Sequence, residues 1–164
     1  APHKGMNHAA KSLHRNDHHQ LFGSPSSRDL IIAGHQQISH EWWQLSRRHF
    51  TVVSSQLVVS EASAGDPELA SARLAFLTEL TLLEITEEAL KLAQRLLQAK
   101  AIPQEFPEDA LHIAVAVVNG VEYLLTWNYK HLANAAMRNK IETTCRALGY
   151  EPTVICTPEE LLEV

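Results

Sequence analysis

Glu108-Asp109-Ala110-Leu111-His112-Ile113-Ala114-Val115-Ala116-Val117-Val118-Asn119-Gly120-Val121-Glu122-Tyr123-Leu124-Leu125-Thr126-Trp127 decides the fold. Two acids open it, where they suit the positive end of a helix dipole. The residues from Ala110 to Val118 are then apolar on almost every side, which predicts a buried helix. Gly120 stops it, and Val121–Trp127 reads as a strand. A buried helix leading straight into a buried strand is the repeating step of a parallel sheet.

The same alternation continues outward. Downstream, a helix is expected from about Lys130 to Leu148, stopped at Gly149. Thr153–Cys156 reads as a last strand, and Thr157-Pro158-Glu159-Glu160 caps a short final helix. Upstream, Thr86-Glu87-Glu88 opens a helix running to about Lys100, with Thr86 as cap. Leu82–Ile85 is a short strand. Gly65-Asp66-Pro67 is a stop followed by a start, between helices over Gln56–Ala64 and Glu68–Glu79, with Asp66 as N-cap. Phe50–Ser54 is a β-branched strand candidate. Asp29–His49 has helical spacing, with Trp42-Trp43 at the core or an interface edge. Helices of this length between short β-rich runs predict an α/β fold with a mostly parallel sheet covered on both faces.

Length and composition bound the rest. The chain has 164 residues, enough for one domain with a real core. It is 45% hydrophobic, ordinary for a globular protein. No stretch approaches the ~20 continuous apolar residues of a membrane span. The polar start lacks the apolar centre of a secretory signal. Cys145 and Cys156 lack partners at zinc-site spacing and read as buried free thiols of a cytoplasmic protein. The net charge of −5 argues against strong nonspecific nucleic-acid binding, which rests on cationic neutralisation of phosphates. It leaves room for a nuclease with a local basic rim.

Residues 1–27 are different. Five of the ten histidines fall in the first 19 residues, without ligand spacing, and Ser12–Ser27 has neither helical nor strand period. A histidine-rich metal-binding arm is one reading; a leader without a packing role is the plainer one. Residues 1–10 offer little apolar surface to offset the entropy of ordering, so they are expected to pack loosely.

Several motifs resemble the PIN-like family, especially the bacterial branch near the VapC-type toxins. They are Ser55-Gln56-Leu57-Val58-Val59-Ser60-Glu61-Ala62-Ser63-Ala64-Gly65-Asp66-Pro67, Asp109-Ala110-Leu111-His112-Ile113-Ala114, Tyr123-Leu124-Leu125-Thr126-Trp127-Asn128-Tyr129-Lys130-His131-Leu132-Ala133-Asn134 and Ile155-Cys156-Thr157-Pro158-Glu159-Glu160-Leu161. Their order and separation carry the resemblance over about Arg28 to Val164. It implies a three-layer α/β/α domain over residues 28–164 and the activity of a metal-dependent endoribonuclease, the toxin of a toxin–antitoxin pair. Implied partners are an RNA substrate, a protein antitoxin and a second copy of the chain, with no membrane.

The family gathers three or four carboxylates at the carboxyl ends of neighbouring parallel strands. Like charges held together repel, and magnesium or manganese relieves that repulsion through hard oxygen ligands. Carried over residue by residue, Glu61 takes the place of the second acid and Asp109 of the third. Asn128 stands at the fourth, where its carbonyl could coordinate but adds no charge. Thr126 and His112 are candidates to support the ligands. Lys130 and His131, with Arg47 and Arg48, are candidates to hold RNA phosphates. The plain alternatives are a solvated helix acid for Glu61, a helix-start acid for Asp109, a satisfied semi-buried histidine for His112, a turn residue for Asn128 and a solvated charged face for the cations.

The family's first strand, with its acid and a following Ser or Thr, is missing. A shifted reading frame explains this. Back-translated with permitted codons, Ser12–Ser26 reads in a neighbouring frame as Val-Tyr-Ile-Glu-Thr-Thr-Ile-Ile-Ser-Tyr-Leu-Ala-Ala-Arg-Pro, with the acid encoded across Arg15 and Asn16. Asp17 is the only acid in the segment as written. The expectation is therefore an impaired ribonuclease; the rival is a catalytically inactive PIN-like module that only binds protein.

Overall fold

Val52 and Val53 are neighbours in one strand, yet they belong to different apolar clusters. Successive side chains of a strand leave on opposite faces, so this parity describes how the sheet is packed. A computed structural model describes residues 5–8, 37–126 and 135–162. The elements in chain order are β1 (Gly5–His8), α1 (described over 37–45), β2 (Thr51–Ser55), α2 (Gln56–Ala62), α3 (Pro67–Leu77) and β3 (Thr81–Leu83). After these come α4 (Glu87–Gln98), α5 (Pro107–Val118), β4 (Tyr123–Leu125), α6 (Ala135–Ala147) and β5 (Val154–Cys156). Single 3-10 turns cover Arg47–His49 and Pro158–Leu161.

The five strands form one sheet in the order β3-β2-β1-β4-β5, and every pairing is parallel. Val53, Leu124 and Ile155 enter a large cluster with Ala89, Leu92 and Leu96 of α4, Ala110, Ile113 and Val117 of α5, and Ile141 and Cys145 of α6. Leu125 and Cys156 join Trp42 of α1 and Leu161 instead. Val52 also packs against Val58 and Ala62 of α2 and Leu77 of α3. Each fully buried Leu or Ile in such a core contributes about 1.5–3 kcal/mol relative to an exposed one.

Local chemistry explains the element boundaries. Pro107 sits at the start of α5 with Glu108 and Asp109 in its first turn, a position where a missing N–H costs nothing. Thr86 caps α4, its side chain accepting from the Ala89 amide at 3.2 Å. The Asp66 side chain accepts from the Glu68 amide at 2.9 Å and opens α3. The Glu160 carboxylate accepts from the Thr157 amide at 2.7 Å and fixes the last turn. Strands and helices between Thr51 and Leu161 thus fall within a few residues of the sequence expectation. The β-run after α3 is shorter than read, ending at Leu83.

The leader overturns the expectation. Gly5–His8 is no loosely packed tail but the central strand of the sheet, paired with β2 on one side and β4 on the other. Side-chain pattern gave no sign of this, because Gly and Asn are poor strand formers. What the position requires is backbone. β2 and β4 each present a row of amide and carbonyl groups that must find partners, and four extended residues supply them. Ser12–Ser26, where the shifted frame was read, lies outside the described residues.

Candidate functional site

In this strand order the chain moves outward from β1 to β3, then returns to the other side of β1 as β4. The crevice at the carboxyl ends of the strands, where the direction of winding reverses, is where open parallel sheets bind ligands. Three segments approach it. β2 ends at Ser55, whose hydroxyl accepts from the Val58 amide at 3.3 Å and turns the strand directly into α2. α2 carries Glu61. α5 runs back against the strands, so its first turn, with Asp109, lies at the same end. Thr126 follows β4, buried, its amide donating to the Cys156 carbonyl at 2.9 Å.

The contact that joins these segments is between Glu61 and His112. The Glu61 Oε1 and the His112 Nε2 are 3.1 Å apart. His112 is 2% exposed and the Glu61 side chain 25%. A carboxylate only accepts, so the imidazole donates from Nε2. Glu61 Oε2 and His112 Nδ1 are both buried without a hydrogen-bond partner among the described residues. His112 stands one helical turn along from Asp109, on the same face of α5. Asp109 itself is fully buried. A buried carboxylate needs a partner, and a helix start is the place where its charge is best tolerated.

No protein-family profile, curated protein or solved structure matches the chain significantly.

The candidate residues therefore divide by position. Glu61 and His112 are in contact, while Asp109 and Thr126 belong to segments that the strand order places towards the same end of the sheet. Arg48 does not join them: it precedes β2, at the amino end, where it lines an open pocket with Trp43, Gln44 and Phe50. Asn128, Lys130, His131 and Asp17 lie outside the described residues. Among the described residues no three His, Cys, Asp or Glu side chains gather as a metal-holding group. β1, which runs through the middle of the sheet, is Gly-Met-Asn-His and carries no acid.

Tested against a divalent cation, the donor chemistry fits in kind and falls short in number. The orphaned Glu61 Oε2 is a hard oxygen in need of a positive partner, and Asp109 is a second carboxylate at the same end. Sequence reasoning missed Ser54, whose hydroxyl is fully buried without a partner among the described residues, close to the end of β2. The visible signal was a pair of serines closing an otherwise apolar strand. His112, read as semi-buried, is 2% exposed, with Nε2 paired to Glu61 and Nδ1 unpaired among the described residues.

No helix among the described residues is long and apolar enough to cross a membrane. Both cysteines are free and buried, as their spacing suggested. Burial pushes the Cys145 thiol up to about 11 and the Cys156 thiol up to about 12.

Proposed function

We propose that the chain is a three-layer α/β/α domain of the PIN-like type, built for divalent-metal-dependent cleavage of RNA and impaired in this form. The toxin of a toxin–antitoxin pair is the role that fits this reading. The observation that carries it is the Glu61–His112 contact. It ties the helix after β2 to the helix before β4, and parallel sheets of this order take their ligands at the carboxyl ends of their strands.

In this reading Glu61 and Asp109 hold magnesium or manganese through carboxylate oxygens, with Asn128 adding a neutral donor. When bound, such an ion orients the phosphate, activates a water and neutralises developing charge. The chain's own residues do the rest. The start of α5 lowers the cost of the Asp109 charge. Thr126 closes the site beside β4. Lys130 and His131 take the RNA phosphates. Two carboxylates in place of four bind a hard cation weakly and leave the scissile bond poorly aimed, and misplacement by ~1 Å costs ~100-fold in rate.

The test is RNA cleavage with magnesium by three proteins at equal folded concentration: the chain as written, the chain with Ser12–Ser26 replaced by the shifted-frame sequence, and that protein with Asp109→Asn. Weak or no cleavage by the first, cleavage by the second and loss in the third are expected. Robust, chelator-sensitive cleavage by the first, lost on Asp109→Asn, would mean the missing acid is dispensable.

A second reading is favoured by one observation. The central strand carries no carboxylate, so the domain could serve only as a module that binds an antitoxin or a second copy of itself. A metal titration separates the two, since the binding module needs no ion.

A further inference from the structure

At the amino end of the sheet, away from the crevice, α1 and the approach to β2 border an open pocket of about 610 Å³, lined among the described residues by Trp43, Gln44, Arg48 and Phe50. That size suits a small organic molecule. The two lining rings are held from behind. Trp42, wholly buried, lies 6.4 Å from Trp43 and 6.1 Å from Phe50 between ring centroids, and Phe50 meets Tyr123 edge to face at 6.1 Å. The aromatic lining is therefore set before any ligand arrives, which lowers the cost of binding. Gln44 is tethered as well, its amide donating to His40 Nε2 at 3.0 Å. Arg48 stands exposed on the 3-10 turn and makes no ion pair among the described residues. The fold makes no use of this cation, and it lies at the opposite end of the sheet from Glu61 and Asp109.

We propose that this pocket binds a nucleotide, its base against Trp43 and Phe50 and its phosphate on Arg48. Every base has a flat π face that an aromatic side chain can cover, whatever the base's identity. A guanidinium matches a phosphate through two parallel N–H donors. The Gln44 side-chain carbonyl can accept from an amino group on the base edge. A base alone leaves Arg48 unused, and a phosphate alone leaves the rings unused. A molecule that carries both satisfies the whole lining. The proposal does not rest on the metal-ion reading of Glu61 and Asp109, since it needs neither residue. Two sources supply this chemistry, a free mononucleotide and an unpaired nucleotide within an RNA, and the experiment separates them.

The experiment is isothermal titration calorimetry on the full chain, with a chelator present so that no metal-dependent event contributes. The probes are adenosine monophosphate, adenosine, ribose phosphate and a short single-stranded oligoadenylate. Saturable binding of the mononucleotide is expected, with adenosine and ribose phosphate each weaker by about tenfold or more. Arg48→Ala, a change at an exposed position, is expected to weaken the mononucleotide about tenfold and to leave adenosine where it was. Trp43→Leu is expected to weaken both. Circular dichroism checks that each variant is folded. Trp43 also packs against Val58 and Leu77 in the cluster behind the pocket, so Arg48→Ala alone decides the matter if Trp43→Leu does not fold. Oligoadenylate bound more tightly than the mononucleotide, and weakened by Arg48→Ala, assigns the site to RNA. Equal or lower affinity for the oligoadenylate assigns it to the free nucleotide. No saturable binding of either, or binding unchanged by Arg48→Ala, overturns the proposal.

Discussion

His8, the last residue of β1, lies beside Leu125, the last residue of β4. The carboxyl end of the central strand is therefore occupied by a residue that brings no negative charge of its own. Under the proposed ion-binding reading, a carboxylate at this position would add the charge that the central strand lacks. His8→Asp is expected to tighten Mn²⁺ binding on the order of tenfold, which corresponds to about 1.4 kcal/mol. Unchanged affinity in a folded variant would mean that the end of β1 does not face the ion.

Lys100 ends α4 with a φ of 56°, the only non-glycine residue among those described with positive φ. An L-residue pays roughly 1–2 kcal/mol to sit there, and Gly avoids that cost but loses more backbone entropy on folding, about 0.5–1 kcal/mol. Lys100→Gly should raise stability by about 0.5–1 kcal/mol in urea unfolding. Destabilisation instead would show that the Lys100 side chain contributes more than its backbone strain costs.

Ile113 is wholly buried between the sheet and α4, whereas Leu90 is 47% exposed on the outer side of α4. Ile113→Ala is expected to cost about 2–5 kcal/mol, seen as a lower urea midpoint at constant slope. Leu90→Ala, as the contrast, should stay within about 0.5 kcal/mol of the parent. Equal effects at the two positions would contradict the packing described.

The thiols predict the alkaline limb of stability. Burial raises Cys145 from the ordinary 9.0 to about 11 and Cys156 to about 12. Below pH 9 both thiols are protonated in folded and unfolded chains alike, and their contribution is complete. As pH rises from 9 towards 12 the unfolded chain ionises first, so that contribution is lost. The parent should therefore lose stability more steeply across this window than a variant with Cys145→Ala and Cys156→Ala. Parallel curves would place the thiols in contact with solvent.

Much of this arrangement was legible in the sequence, for a physical reason. Asp66 and Thr86 act within a turn of themselves, so these caps can be read locally. The buried face of α4 repeats with helical period at Ala89, Leu92, Ala93 and Leu96. Two things were not legible. β1 is placed by backbone pairing from both neighbours, and backbone groups are the same in every residue. The partner of His112 stands 51 residues away, and no periodicity along α5 announces which helix will lie opposite. Glu61 and Asp109 were visible as candidates only through resemblance, since a lone acid on a helix otherwise reads as solvated.

The pairing of Met6 with Tyr123 joins positions separated by more than a hundred residues of chain. Contacts this distant in sequence slow folding, because the entropy of closing the loop is lost before any pairing compensates it. On the ribosome the β1–β2–β3 part of the sheet can assemble while the rest is still being made. β1 then waits with one edge open until β4 emerges. The arrival of Tyr123–Leu125 is the event that closes the sheet around its middle strand.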